Sequence, residues 1–222
     1  MSGEPGSHDA AQSALGNQPS LEDIVRAVVD ATRAETFTSM PVIVTKKSED
    51  GHTISVKAAV KIPRRQDDNS IVYDELPEFM DIPINFSGSG GITHTFPTKE
   101  GDEGWIDFGS RGHGFWRQNG GVQPPQDGEV NGLANGRFRP GARSDPNKLK
   151  GVSTTSAQTR TDDKQTLHDV SDKAVTTIRE GAAHQVNGAA VQTELGGTRH
   201  IVDGKAIQQT AAKFLHNCGG VG

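Results

Sequence analysis

The chain of 222 residues has a single cysteine, a single tyrosine, two tryptophans and no long apolar run. One cysteine, Cys218, excludes a disulfide within the chain and any cysteine-rich metal site in a single copy. No stretch approaches the ~20 apolar residues that span a bilayer. The first twenty residues, MSGEPGSHDAAQSALGNQPS, have neither the basic start nor the apolar segment of a secretory signal. A soluble protein made in the cytoplasm is therefore expected. Hydrophobic residues make up 32% of the chain and the mean hydropathy is -0.58, too little for one compact core filled by the whole length. Part of the chain must be extended, disordered or assembled with partners.

Clustered lysine and arginine are missing too, and the formal charge is -5. Such a chain is not built to neutralise phosphates, so nucleic acid is not the expected partner. There is no H-E-x-x-H, no serine elbow and no phosphate loop. The G-S-G-G at 88–91 precedes a strand pattern and so lacks the helix that would complete a phosphate site. Glu100, Asp102 and Glu103 are close in sequence, but a glycosidase needs two carboxylates facing across a cleft. Flanked by Gly101 and Gly104, they read as a solvated turn. His94, His113, His168, His184 and His200 lack ligand spacing and are expected to be structural or exposed. No catalytic residue, no cofactor and no enzymatic activity are expected.

What is present falls into five segments. Residues 1–19 form a polar, mobile start. Residues 20–38 hold an amphipathic helix, with Ser20 as cap, Asp23 in the first turn, and Leu21, Ile24, Val25, Val28 and Val29 along one side. From 39 to 121 the period changes to two. P-V-I-V-T-K-K and H-T-I-S-V-K-A-A-V-K-I flank the turn S-E-D-G as a hairpin. Short strands follow at I-V-Y, M-D-I-P-I-N-F, G-I-T-H-T-F, G-W-I-D-F and G-F-W-R, suggesting a small barrel or sandwich. Both tryptophans fall between Phe96 and Gly121, where the aromatics are expected to supply the core's main buried area. Residues 122–152, rich in proline and glycine, read as a linker.

Residues 153–222 repeat a rhythm of strand and turn, with glycine closing most segments every seven to nine residues. Their apolar content is too thin for an independent core, because ordering each residue costs about 1–2 kcal/mol. Three identical chains wound about one axis would solve this, each strand pairing with a neighbouring chain. Disorder is the competing reading, and the regular punctuation favours the trimer.

The order M-P-V-I-V, L-P-E-F-M-D-I-P-I-N-F, G-S-G-G-I-T-H-T-F-P, K-E-G-D-E-G-W-I-D-F and G-F-W-R-Q-N-G-G resembles the N-terminal domain of central spike proteins from contractile-tailed bacteriophages. The match covers about 40–121, and the tail resembles their stem in style. The resemblance implies a mainly β protein with a short N-terminal helix, an OB-fold barrel as collar and an intertwined trimeric triple-stranded β-helix. It further implies a homotrimer in the virion, at the baseplate tip, assembled in the host bacterial cytoplasm and driven through the host outer envelope on sheath contraction. The implied partners are the baseplate hub and tail tube proteins, with a separate tip protein left open. Related needle tips in type VI secretion and contractile bacteriocins leave a bacteriocin or prophage origin open. Many such spikes hold an apex iron with two histidines one residue apart, and no H-x-H occurs here.

In a trimer, His216 and Cys218 of F-L-H-N-C-G-G would bring three imidazoles or three thiolates together at the apex, a set that takes a transition metal. The preferred alternative is a terminal histidine and a reduced cysteine packed as a small apolar group, with no metal. Trp105, Phe108, Phe115 and Trp116 could instead stack bases, since OB folds often do so. A single-stranded nucleic-acid-binding module with a disordered tail is thus the alternative function. The acidic charge favours a barrel core and subunit contacts for these rings.

Overall fold

The computed structural model describes residues 20–211, apart from 35 and 67. The chain divides into two units, Met1–Ser144 and Asp145–Gly222. The first opens with helix α1 (Leu21–Ala34). Its start is a reciprocal cap, in which Asp23 N–H donates to Ser20 Oγ and Ser20 N–H to Asp23 Oδ2, both at 3.1 Å. The expected apolar stripe is present, and Leu21, Ile24, Val25, Val28 and Val29 are all exposed. No helix among the described residues is long and apolar enough to cross a membrane.

The rest of the first unit is built on strands β1 (Ser39–Lys47), β2 (Thr53–Ala58), β3 (Ile62–Arg65), β4 (Ile71–Asp74), β5 (Phe79–Pro83), β6 (Ser87–Ser89), β7 (Ile92–His94), β8 (Glu103–Phe108) and β9 (Gly136–Pro140). Five of them form one sheet in the order β5-β2-β1-β8-β9. The sheet curls into a half-barrel, and Ile84, just past β5, makes a parallel bridge to Phe138 of β9. Alternation sets the inner face: Met40, Val42 and Val44 from β1, Ile54 and Val56 from β2, Ile106 and Phe108 from β8. Phe79, Ile82 and Phe138 complete this core. Thr45 bulges out between Val44↔Val56 and Lys46↔Ser55, which increases the local twist. Gly104 is a glycine because Phe138 lies on it: an added Cβ would collide with the Phe138 ring.

Three expectations for this unit are corrected. Residues 122–152 are not only a linker, since β9 pairs with β8 from Gly104↔Pro140 to Phe108↔Gly136 and supplies the fully buried Phe138. The segment G-F-W-R is not a strand. It lies in helix α2 (Gly114–Asn119), where Arg117 N–H donates to His113 O at 2.9 Å and Gly120, at φ 66°, ends the turn. The aromatics of 96–121 are not the main core either. Phe108 alone enters it, packed edge-on against Phe79 at 6.0 Å, while Phe96, Phe115 and Trp116 are exposed. The short β-branched strands carry the buried area instead.

The second unit is a single meander of seven antiparallel strands, β10 (Ser156–Arg160), β11 (Thr166–Ser171), β12 (Ala174–Arg179), β13 (Ala182–Asn187), β14 (Ala190–Leu195), β15 (Thr198–Asp203) and β16 (Ile207–Thr210). From β11 to β15 the strands begin eight residues apart. The turns alternate in chemistry. At one margin the two-residue turns Glu180-Gly181 and Gly196-Gly197 have positive φ throughout, as the tightest hairpins require. At the other, Ser171, Asn187 and Asp203 each receive the N–H groups of the turn on a side-chain oxygen. Each strand pairs with its neighbour in the same chain. Among the described residues the ladder is thus formed within one chain, and the expected intertwined triple-stranded β-helix is not shown.

Candidate assembly surfaces

The register of the meander aligns its apolar residues into one row. Ala157 stands opposite Val170, then Val175, Val186, Val191, Val202 and Ile207 follow strand by strand. The octad spacing with two-residue turns returns a valine to the same height at each crossing. From Val170 onward every member is exposed. Two positions along each strand, on the same face, runs a second row: Thr159, His168, Thr177, His184, Thr193, His200 and Gln209. His168 Nδ1 lies 3.0 Å from Thr177 Oγ1 and His184 Nδ1 lies 3.0 Å from Thr193 Oγ1. Gln209 Nε2 lies 3.1 Å from His200 Nδ1. The opposite face carries Gln158, Asp169, Thr176, Gln185, Gln192, Ile201 and Gln208 along its middle, all half-buried except the exposed Gln208.

The sequence reading missed this histidine row, although a signal for it exists. His168, His184, His200 and His216 are spaced sixteen residues apart, two octads each. Metal-ligand rules look for spacings of two to five residues, so a sixteen-residue period passes unseen. His216 and Cys218, the apex candidates, lie outside the described residues.

On the first unit, the outer face of the half-barrel carries Ile43 and Trp105, the latter 36% exposed. They border a shallow hollow of about 240 Å³ with Pro41, Ala59 and Ala142. Beside it, Arg139 forms a two-pronged ion pair with Asp107 at 2.8 and 3.0 Å. Arg137 lies over the Trp116 ring at 4.5 Å, a cation–π contact that holds α2 against β9. Trp116, Phe108, His113, Pro124 and Pro125 line a groove of about 730 Å³. Burial, and then the charge of Arg137, hold His113 below the ordinary imidazole range.

The carboxylate cluster is placed as a turn. Gly101 has φ 86°, Asp102 Oδ2 accepts Lys99 N–H at 2.8 Å, and Glu103 Oε1 accepts the Ser144 hydroxyl at 2.8 Å. The structure does not bring Glu100, Asp102 and Glu103 across a cleft from one another. Gly90 and Gly91 of G-S-G-G form the β6–β7 hairpin turn, with φ 61° and 81°. Among the described residues, no group of three or more histidine, cysteine or acidic side chains is placed to hold a metal. His94 sits in β7 of the first unit.

Residues 40–141 match the family model described as the phage protein Gp138 N-terminal domain. The matched span runs from the first strand of the half-barrel to just past its last, so it includes β9 and Phe138. Over that span the chain is similar to a phage structural protein. No curated protein matches the chain.

Proposed function

We propose that the chain is a noncatalytic homotrimeric spike at the baseplate tip of a contractile phage tail, with the half-barrel unit as an OB-like collar on the tail hub and the meander as the shaft that pierces the host envelope. One observation carries the reading: the unbroken exposed valine row on a one-layer sheet. A stable β architecture needs a second layer over its apolar face. Three copies facing one another across a threefold axis supply that layer, with each row meeting its two counterparts. These valines are 37–43% exposed, so covering each one recovers less than half of the roughly 1.5–3 kcal/mol of full burial, repeated along the row in three chains.

Stiffness follows from the ladders. Seven strands about 4.8 Å apart stack to roughly 30 Å along an axis that crosses them. A compressive load along that axis meets continuous rows of backbone hydrogen bonds in every chain. The phage-domain match supports the virion setting. Light scattering of the purified chain tests the trimer: a mass near three times 23.6 kDa is expected, and a monomer overturns it.

The exposed Trp105, Phe115 and Trp116 favour a second reading, the single-stranded nucleic-acid-binding module. Oligonucleotide binding that weakens steeply with salt would select it over the spike.

A further inference from the structure

The histidine row lies two residues from the valine row on the same face of the meander, so whatever covers the valines covers or borders the histidines. His168, His184 and His200 recur on every second strand, with Thr177 and Thr193 between them and Thr159 and Gln209 at the ends. Neighbouring strands are about 4.8 Å apart, so successive imidazoles are rooted roughly 10 Å from one another. Among the described residues they form no group placed to hold a metal. They are separate titratable groups on one face.

The charges around them are one-sided. On that face the seven strands carry one other charged side chain, Arg179, which is diagonal to both His168 and His184. Its guanidinium reaches Glu180 in the adjoining turn at 3.7 Å. In the turn before β11, the Asp163 carboxylate accepts from the Thr161 hydroxyl and the Gln165 N–H. On the opposite face Asp169 accepts from Ser156 and Gln158, and Glu194 is paired with Arg199 at 3.1 Å. No carboxylate stands on the histidine face of any of the seven strands.

Neutral imidazoles suit such a face, because each Nδ1 meets an uncharged partner. Gln209 Nε2 can only donate, so His200 Nδ1 accepts and the ring carries its proton on Nε2. A second proton on that ring sets donor against donor, and the bond breaks or the amide must turn over. The Thr177 and Thr193 hydroxyls can rotate to serve either form of His168 and His184.

We infer that this row is an acid switch for the shaft: the chains associate while the imidazoles are neutral, and protonation drives them apart. The inference rests on the three-chain reading of the valine row. Histidine is the side chain that changes its charge between about pH 5 and 8. Acid adds up to three positive charges to the covered face of each chain, where Arg179 is already positive and no carboxylate answers them. Charges taken out of water without counter-charges oppose burial. Separated chains take up the protons in water without that cost, so acid favours separation and the assembly is complete on the neutral side.

Light scattering of the full chain at about pH 7.5 and about pH 5, beside a variant with His168→Gln, His184→Gln and His200→Gln, tests it. At the higher pH both chains should show a mass near three times 23.6 kDa. At the lower pH the native mass should fall toward that of one chain while the variant keeps its mass. His113 and the rest of the first unit are common to both chains, so acid effects there cancel. If circular dichroism shows the triple variant unfolded, His184→Gln alone should move the pH of half-dissociation downward, and an unmoved value overturns the switch. A native trimer at both pH values, or equal dissociation of native chain and triple variant, would overturn the switch and leave the trimer standing. A native monomer at about pH 7.5 would overturn the trimer and the switch with it.

Discussion

Val186 stands directly opposite Val191 across the β13–β14 hairpin, and both side chains are exposed on the same face of the sheet. The pair is the middle of a row that continues through Val175 on one side and Val202 on the other. A soluble chain that leaves such a row bare invites association. In the proposed trimer, Val186→Asp places three carboxylates in the valine row. Burying an unpaired charge costs several kcal/mol, so the variant is expected to run as a monomer in light scattering. A conservative Val186→Ile should keep the native mass. If both variants match the native mass, the valine row is not the interface.

Phe138 decides where the half-barrel ends. It packs on Gly104, Ile84 bridges to it, and its ring is fully buried. Phe138→Ala should destabilise the first unit by about 3–5 kcal/mol, the usual range for deleting a buried phenyl ring. A fragment of residues 36–121 should show no cooperative thermal transition, whereas 36–144 should. A folded shorter fragment would show that β9 is dispensable.

These two positions also mark what could be read from the residues alone. The octad rhythm was legible because each turn needs glycine or a short polar residue, which leaves a local mark at 180–181, 187–190 and 196–197. The α1 helix was legible for the same reason, as its cap and stripe lie within fifteen residues of each other. Phe138 was not, because its partners on β8 and at Ile84 are distant in sequence and it sits between Arg137 and Arg139 in a segment rich in glycine and proline. The Arg117–Asp81 ion pair is illegible for a stronger reason: α2 and β5 are 36 residues apart at this contact and meet only through the fold.

Asn187 holds the turn between β13 and β14, accepting the N–H groups of Ala189 and Ala190 on Oδ1 at 2.9 Å. Asn187→Ala leaves both donors to solvent and frees the turn in the unfolded chain. A loss of about 1 kcal/mol is expected, read as a lower urea midpoint with an unchanged slope. Asn187→Asp retains the acceptor and should restore most of it. Equal losses in the two variants would mean that the side chain acts by packing and not as a turn cap.

His113 makes the stability of the first unit depend on pH in one direction. Its ring is half-buried between α2 and β9, and the nearest charges that act on it are the cations Arg137 and Arg117. Burial first, and then Arg137, push its proton affinity in the fold below the unfolded value near 6.5, against a smaller opposing contribution from a backbone hydrogen bond with Arg111. Above about pH 6.5 both states are neutral at this site and its contribution is complete. As the pH falls below that value the unfolded chain binds the proton first, so stability drops until the folded ring titrates as well. His113→Gln keeps a polar side chain without titration. Thermal midpoints measured from pH 7.5 down to pH 5 should therefore fall more steeply for the native chain than for the variant. Parallel curves would mean that the ring is free to leave its cationic surroundings when protonated, and that α2 is held to β9 by the Trp116–Arg137 contact alone.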